Sequence, residues 1–355
     1  MIDALPDWPL FGLSDDARPA LEAARRAGVT AALATIVALD GGGPRPVGTQ
    51  MVLSTAGLSG FLSGGCLEAD VVGHAQSVLR TGEPRRLVYG QGSPWPDIRL
   101  LCGARIEVLL ERITPDDAAV DQLLRLWHAR TPALWVSGGQ TRTCRAASDE
   151  TDTAPGAFRK RFEPTPRMIV LGGDPAALAI AALSAQSGCE TTLIRPKGPE
   201  APPPLADVAY RRESPAIALA AVGLDAWTAV AVATHEAELD VEALAVALPS
   251  TAFYVGALGA RRRLPERRAA LLAAGIGPQD IDRLHAPIGL DIGGKAPWDV
   301  AVAVLAQITA LRVAAAARSP ATHLDLAGYY GDSALNAPSR LAASTIEVAL
   351  SALSP

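Results

Sequence analysis

Arg167-Met-Ile-Val-Leu-Gly-Gly-Asp-Pro-Ala-Ala-Leu-Ala-Ile-Ala-Ala-Leu-Ser-Ala-Gln-Ser187-Gly188-Cys-Glu-Thr-Thr-Leu-Ile194 is the stretch on which the fold turns. Met168 to Leu171 is a short apolar run of the kind a fully buried strand needs. Gly172-Gly-Asp-Pro breaks it and opens a helix from Ala176 to Ser187, which Gly188 caps. Thr191 to Ile194 is then the next strand. Downstream, Ala229–Ala233 and Ala252–Val255 read as strands, and Glu242–Ala247, Pro265–Ala274 and Pro297–Val313 as helices. Strands alternating with helices at this spacing predict a parallel sheet with right-handed crossovers. Residues 167–330 therefore read as a Rossmann-like domain, followed by a tail at 331–355.

Upstream the pattern changes. A helix from Pro19 to Ala27 stops at Gly28, and Thr30 to Leu39 reads as a strand. A loop, Gly41-Gly-Gly-Pro-Arg-Pro-Val-Gly48, leads to a second extended segment, Met51–Ser54, and a turn at Ala56-Gly57. Gly64-Gly65 precedes Cys66-Leu-Glu68 and a helix through Leu79, and Ile106–Leu110 is a further short strand. Residues 1–115 thus read as a smaller α+β domain. Between the two lies 116–166, with a helix near Val120–His128, a strand at Ala133–Ser137 and a polar remainder that reads as a linker. The fold class expected is α/β.

Composition narrows the function. Lys and Arg number 32 against 37 for Asp and Glu, a net charge of −5, which argues against a nucleic-acid binder. No uninterrupted apolar run reaches the roughly 18 residues of a membrane span, and the first residues lack a signal-peptide pattern, so a cytoplasmic protein is expected. Four cysteines, Cys66, Cys102, Cys144 and Cys189, are widely spaced, with neither zinc-finger nor disulfide-framework spacing. Arg261, Arg262, Arg263, Arg267 and Arg268 crowd one segment, where a solvated helix face with ion pairs is the plain reading.

The turn after the first strand of such a domain normally brings glycine amides and a helix N-terminus to a pyrophosphate. Here Asp174 stands at the middle glycine, and Arg195-Pro196 stands where an acidic residue would hold the ribose. A degenerate site is the simpler reading, so NAD(P) or FAD binding is not expected, with Arg195 meeting a 2′-phosphate as the alternative. Other segments place chemistry beyond strand ends: Thr234-His235 through Asp240, Gly256-Ala-Leu-Gly259-Ala-Arg261, and Gly289-Leu-Asp291-Ile-Gly293 before a helix at Pro297. Exposed amides backed by arginine suit an oxyanion. In the first domain Cys66 begins a helix, whose dipole favours the thiolate, and Cys102-Gly103 lies in a second glycine loop. Cys144 and Cys189 read as small buried hydrophobes.

Pro44-Arg45-Pro-Val-Gly48, Gly64-Gly65-Cys66-Leu-Glu68 and Cys102-Gly103 resemble the N-terminal motifs of the XdhC/CoxI family. Thr234-His235-x-x-x-Leu-Asp240, Tyr254-x-Gly256-Ala-Leu-Gly259-x-Arg261 and Pro287-Ile-Gly289-Leu-Asp291-Ile-Gly293 resemble its Rossmann-like half. The resemblance covers most of residues 30–312. It implies a maturation factor, not a metabolic enzyme: a dimeric protein that binds molybdopterin-type cofactor, supports its sulfuration and delivers it to a xanthine-dehydrogenase-type hydroxylase, with a cysteine desulfurase or sulfurtransferase as second partner. Implied cofactor-binding residues are Arg45, Gly48, Gly64, Gly65, Cys66, Glu68, Cys102, Gly103, His235, Asp240, Gly256, Gly259, Arg261, Gly289 and Asp291, with Cys66 and Cys102 as candidate soft metal ligands. Several positions depart from the family pattern: Asp174-Pro175 in the first turn, Ala104 after Cys102-Gly103, Ala260 before Arg261, and Gln307 in the last helix. Two other readings compete: an NAD(P)- or flavin-dependent oxidoreductase, and a non-catalytic scaffold between a sulfurtransferase and its target.

Overall fold

A computed structural model describes residues 5–41, 43, 45–65, 67–90, 105–148 and 157–316. The first unit runs through α1 (Arg18–Arg26), β1 (Ala31–Asp40), β2 (Gln50–Ser54), β3 (Gly57–Ser59), α2 (Glu68–Thr81), β4 (Arg85–Gly90) and β5 (Arg105–Ile113). Its five strands form an antiparallel sheet in the order β3-β2-β1-β5-β4. β1 is apolar without alternation because it is covered on both faces. Ala32, Ala34 and Ile36 meet Val71, Ala75 and Val78 of α2. Ala31 and Leu33 face the other way, toward Leu21 and Ala24 of α1.

That second face is completed by the segment read as a linker. It contains α3 (Ala118–His128), β6 (Ala133–Ser137), β7 (Arg142–Ala146) and β8 (Phe158–Phe162), the strands forming an antiparallel sheet in the order β7-β6-β8. Asp117 caps α3 by accepting from the amides of Ala119 and Val120, both at 3.0 Å. Val120, Leu123, Trp135 and Phe162 enter the same cluster as Leu33 and Val52. The expected linker character of Thr141 to Pro166 is corrected to this extent. β7 and β8 are only five residues each and mostly polar, because one side of each is wet, so no apolar run betrays them.

The third unit comprises β9 (Arg167–Leu171), α4 (Pro175–Gln186), β10 (Glu190–Ile194), β11 (Val208–Arg211), α5 (Pro215–Val222), β12 (Thr228–Val232), α6 (Ala237–Ala247), β13 (Tyr254–Ala257), α7 (Leu264–Ala273), α8 (Pro278–Ile281), β14 (Leu284–His285) and α9 (Pro297–Ala316). The six strands are parallel in the order β11-β10-β9-β12-β13-β14, as the alternation predicts. α4 and α9 pack on one face, and α5 and α6 on the other. α9 alone among the described helices is long and apolar enough to cross a membrane. Ala301, Val304 and Ile308 on it are buried in the core of this unit.

Arg130 joins the units. Its guanidinium donates to the Asp225 carboxylate (2.6 Å), to Glu190 (3.0 Å) and to the Thr165 carbonyl (3.0 Å). Burial pushes the Asp225 carboxyl up, but the hydrogen bonds from Arg130, Thr228 and the Trp227 amide outweigh it and hold the group below its ordinary value.

Trp135 is 1% exposed in the core shared by α1, β1 and α3. Trp135→Ala is expected to cost about 3–5 kcal/mol in urea denaturation. Hydrogen exchange should show β1 and β5 losing protection with it, because that core is common to both sheets.

Candidate functional site

The sequence-predicted residues gather in two places. Those of the third unit lie where the parallel strands end, on the edge at which open α/β sheets bind ligands. β9 and β12, the central neighbours, close on each other there. A Cβ on Gly172, whose φ is +146°, would stand 2.3 Å from the Ala233 carbonyl oxygen. Only glycine fits that approach. Asp174 follows as the N-cap of α4. Its Oδ1 accepts from the Ala177 amide at 2.8 Å, and its Oδ2 lies 3.0 Å from His235 Nε2. The helix N-terminus, the usual seat of a phosphate, is thus filled by the chain's own carboxylate. His235 projects from beyond β12 with 74% of its side chain exposed.

Asp240 does not face the crevice. It is buried in α6, receiving Thr234 Oγ1 and, at 2.9 Å, Arg267 Nη2. Arg267 also donates to the Leu258 carbonyl at 2.9 Å and lies against Gly259. Asp240 and Arg267 together brace the loops after β12 and β13. Gly256 makes room for Ile288, whose Cγ1 would be 2.6 Å from a Cβ there. Gly289, with φ +87°, donates its amide to Gln307 Oε1 at 3.0 Å, and the same oxygen accepts from the Tyr254 hydroxyl at 2.7 Å. Gln307 of α9 is therefore what holds the last glycine loop. At the rim, Arg261 and Asp291 are exposed and 3.7 Å apart. Of the other crowded arginines, Arg263 and Arg268 pair as a solvated helix face does, with Glu266 and Asp282, whereas Arg267 departs from that reading by turning inward to Asp240.

The second group lies on loops of the antiparallel sheet. Cys66, Cys102 and Gly103 fall outside the described residues. Glu68 is fully buried and organises the loop before α2. Its Oε1 accepts from the amides of Leu62 and Ser63, both at 2.8 Å. Its Oε2 accepts from Ser63 Oγ (2.8 Å) and from the amides of Gly65 (2.9 Å) and Leu67 (3.2 Å). Both neighbours of Cys66 in the chain are thus tied to one carboxylate. Gly64 and Gly65 take φ of +113° and +104°, which side chains rarely adopt. Arg45 pairs with Asp15, and its Nε is buried without an acceptor among the described residues.

Lys160 of β8 was invisible to the sequence reading because it lies in the segment taken for a linker. Its Nζ donates to the Gly48 carbonyl and to Gln50 Oε1, both at 2.8 Å, and so fixes the Arg45–Gly48 loop from across the chain. Cys144 and Cys189 are half-buried, and burial raises both thiols, Cys144 to about 11. Among the described residues no group of His, Cys, Asp or Glu is arranged to hold a metal ion.

Two family models match the chain: one described as the XdhC Rossmann domain over residues 168–308, and one described as the XdhC and CoxI family over residues 24–90. The chain is 30% identical over 306 residues to the molybdenum cofactor insertion chaperone PaoD of Escherichia coli (strain K12), covering 85% of this chain and 90% of that one. It belongs to the XdhC and CoxI family. A second relative, a probable xanthine dehydrogenase subunit of Bacillus subtilis (strain 168), is 25% identical over 333 residues, 79% of this chain and 93% of its own. The crystal structure of a xanthine dehydrogenase from Bacillus halodurans superposes with a TM-score of 0.68 at 24% identity, covering 84% of this chain and 96% of that chain, a likeness of fold. Within this XdhC/CoxI chain, the Arg45–Gly48 and Gly64–Gly65 loops and the crevice lie inside the matched segments.

Two outcomes are expected. Burial lowers the Lys160 ammonium to about 8, with Asp16 and Asp15 opposing and Arg18 reinforcing. Unfolded, it titrates near its ordinary value of about 10.4. Between those values the unfolded chain holds a proton that the native one has released, so stability rises with pH across that window. Stability measured relative to Lys160→Met should therefore climb from about pH 8 to about pH 10 and stay flat below about pH 7. Titration calorimetry should find NAD and NADP binding weakly or not at all, and tighter in Asp174→Gly; low-micromolar affinity in the unaltered chain would contradict the blocked helix terminus.

Proposed function

We propose that this protein is a molybdenum-cofactor accessory factor, which binds the cofactor, supports its sulfuration and passes it to a xanthine-dehydrogenase-type hydroxylase. Membership of a family that includes a named cofactor insertion chaperone supports the role. The observation that carries the site is the Glu68 clasp, in which one buried carboxylate gathers five donors between Leu62 and Leu67, on both sides of Cys66. A buried charge with its lone pairs occupied defines one loop shape and strongly disfavours others. The residues present suit the cofactor's chemistry. Arg45 Nε is a buried donor lacking an acceptor among the described residues, and an oxygen-rich pterin or phosphate supplies one. Thiolates of Cys66 and Cys102 are soft donors matched to molybdenum and its sulfur ligands. When bound, the cofactor brings the metal and dithiolene sulfurs that the recipient hydroxylase uses.

In this reading Glu68, Gly64 and Gly65 shape the loop, Lys160 and Gly48 hold the second loop that carries Arg45, and the two cysteines bind or carry sulfur. His235, Gly259, Arg261, Gly289 and Asp291 line the sheet-edge crevice, with Asp240 and Gly256 supporting them. The protein acts in the cytoplasm as a homodimer, with a cysteine desulfurase as sulfur donor. The dinucleotide oxidoreductase reading is disfavoured by Asp174, which occupies the phosphate position of the first turn.

The test is purification of the chain from cells making the cofactor, with molybdenum measured by plasma mass spectrometry and pterin by fluorescence. Cys66→Ala is expected to abolish retention while changing stability by less than about 1 kcal/mol. Unchanged retention in the Cys66→Ala, Cys102→Ala double variant would rule the cysteines out.

A further inference from the structure

Beyond β10 the chain turns through Arg195-Pro196-Lys197-Gly198, closed by the Gly198 amide donating to the Arg195 carbonyl at 3.0 Å. Proline at the second position suits that turn, but the third, Lys197, takes φ +54°, where glycine or asparagine is the usual choice. Backbone hydrogen bonds from Arg195 to the Arg211 carbonyl (2.9 Å) and from Lys197 to the Arg212 carbonyl (3.3 Å) tie the turn to the end of β11. The Arg195 side chain then lies between two glycines. A Cβ on Gly198 would come within 2.9 Å of its Cδ, and a Cβ on Gly173 within 2.4 Å of its Nε. The backbone is bare on both sides of this side chain, although at Gly198 the nearer neighbour is the Tyr210 hydroxyl, 2.2 Å from a Cβ.

The arginines around it have acceptors. Arg167 reaches two carbonyls and Glu190, Arg211 reaches Glu213, and Arg212 reaches the Gly198 carbonyl. The Arg195 guanidinium reaches no acceptor among the described residues. The nearest acid along the chain from Gly173, Asp174, is committed to the α4 amide and to His235. Arg195 is exposed, as is Lys197 on the same turn, so the positive charge faces solvent at the crevice edge. An exposed guanidinium that no acidic side chain among the described residues engages stays available to a ligand, and its planar fork matches the paired oxygens of a phosphate.

We propose that Arg195, seated between Gly173 and Gly198, is the anion receptor of the crevice and takes a phosphate group of its ligand. The phosphate is thereby moved from the α4 terminus, which Asp174 closes, to the outer side of the first turn. The identity of that ligand as the cofactor rests on the function proposed above; the receptor itself does not.

The experiment uses the full chain and titration calorimetry with inorganic phosphate and with pyrophosphate, at constant ionic strength with chloride as the control. The unaltered chain is expected to bind phosphate, and Arg195→Ala to weaken it at least tenfold, with Arg195→Lys between them. Gly173→Ala should weaken it as well, because the added methyl displaces the guanidinium, whereas Arg211→Ala, already paired with Glu213, should not. Equal affinity in Arg195→Ala and the unaltered chain, or no phosphate binding by the latter, overturns the proposal. Pyrophosphate binding much more tightly than phosphate assigns the receptor to a diphosphate bridge, and similar affinities assign it to a terminal phosphate. Molybdenum retention separates the two levels of inference. Retention that survives Arg195→Ala sinks Arg195 as the cofactor's receptor and leaves the accessory role standing. Absence of retention in the unaltered chain sinks the accessory role, while the phosphate titration still decides Arg195.

Discussion

A helix beginning at the centre of a parallel sheet concentrates unpaired amides and positive potential at one point, and something negative has to answer them. In this protein the answer comes from inside the chain. Asp174 caps α4 with one carboxylate oxygen and holds His235 with the other, so the ends of β9 and β12 are bridged by side chains where related architectures leave room for a pyrophosphate. Much of the crevice follows from that occupation. With the terminus closed, the charged side chains left facing solvent are those of the rim, Arg261, Asp291, His235 and Arg195.

The first unit applies the same physics to a loop. Glu68 gathers amides that a glycine-rich segment would otherwise leave to water, at the start of a helix whose dipole also favours negative charge. Leu62 and Leu67 anchor the loop in the core, but its two glycines are open: among the described residues nothing lies within 4 Å of a Cβ built on Gly64 or Gly65, so their glycine identity answers to backbone angle and not to crowding. Gly256 answers to the opposite demand, and Gly172 and Gly289 to both, since a Cβ on any of the three would meet neighbouring atoms at 3.0 Å or less while the last two also take positive φ. Glycines that look alike in the sequence thus bend the chain, let two segments touch, or do both.

Rigidity at both places depends on partners distant in the chain. Gly48 is held by Lys160 of β8, the Gly289 loop by Gln307 of α9, and the loops after β12 and β13 by the Asp240–Arg267 pair. The Gln307 amide oxygen accepts from both the Tyr254 hydroxyl and the Gly289 amide. Asp240 is a brace and not a wall of the crevice, because its two oxygens are taken by Thr234 and Arg267.

Local chemistry along the chain was enough to determine the parallel sheet. Short apolar strands, the helix-opening Asp174-Pro175 pair and helix-closing glycines act within a few residues of where they occur, so β9, α4, β10, β12, α6, β13, α7 and α9 are legible in order, whereas the short elements β11, α5, α8 and β14 are not. The glycine loops and the closed phosphate turn were legible for the same reason. The three-stranded sheet of β6, β7 and β8 was not, since its outer strands are short, polar and paired only through β6. Nor was the seat of Arg195, which depends on glycines from two different turns meeting one side chain, or the grip of Lys160 on a loop 112 positions away. Periodicity and turn chemistry report what a residue does to its own segment. Which distant segment it touches is decided by how the sheets and helices stack, and here that stacking made Asp240, Lys160 and Gln307 supports and left Arg195 facing solvent at the crevice edge.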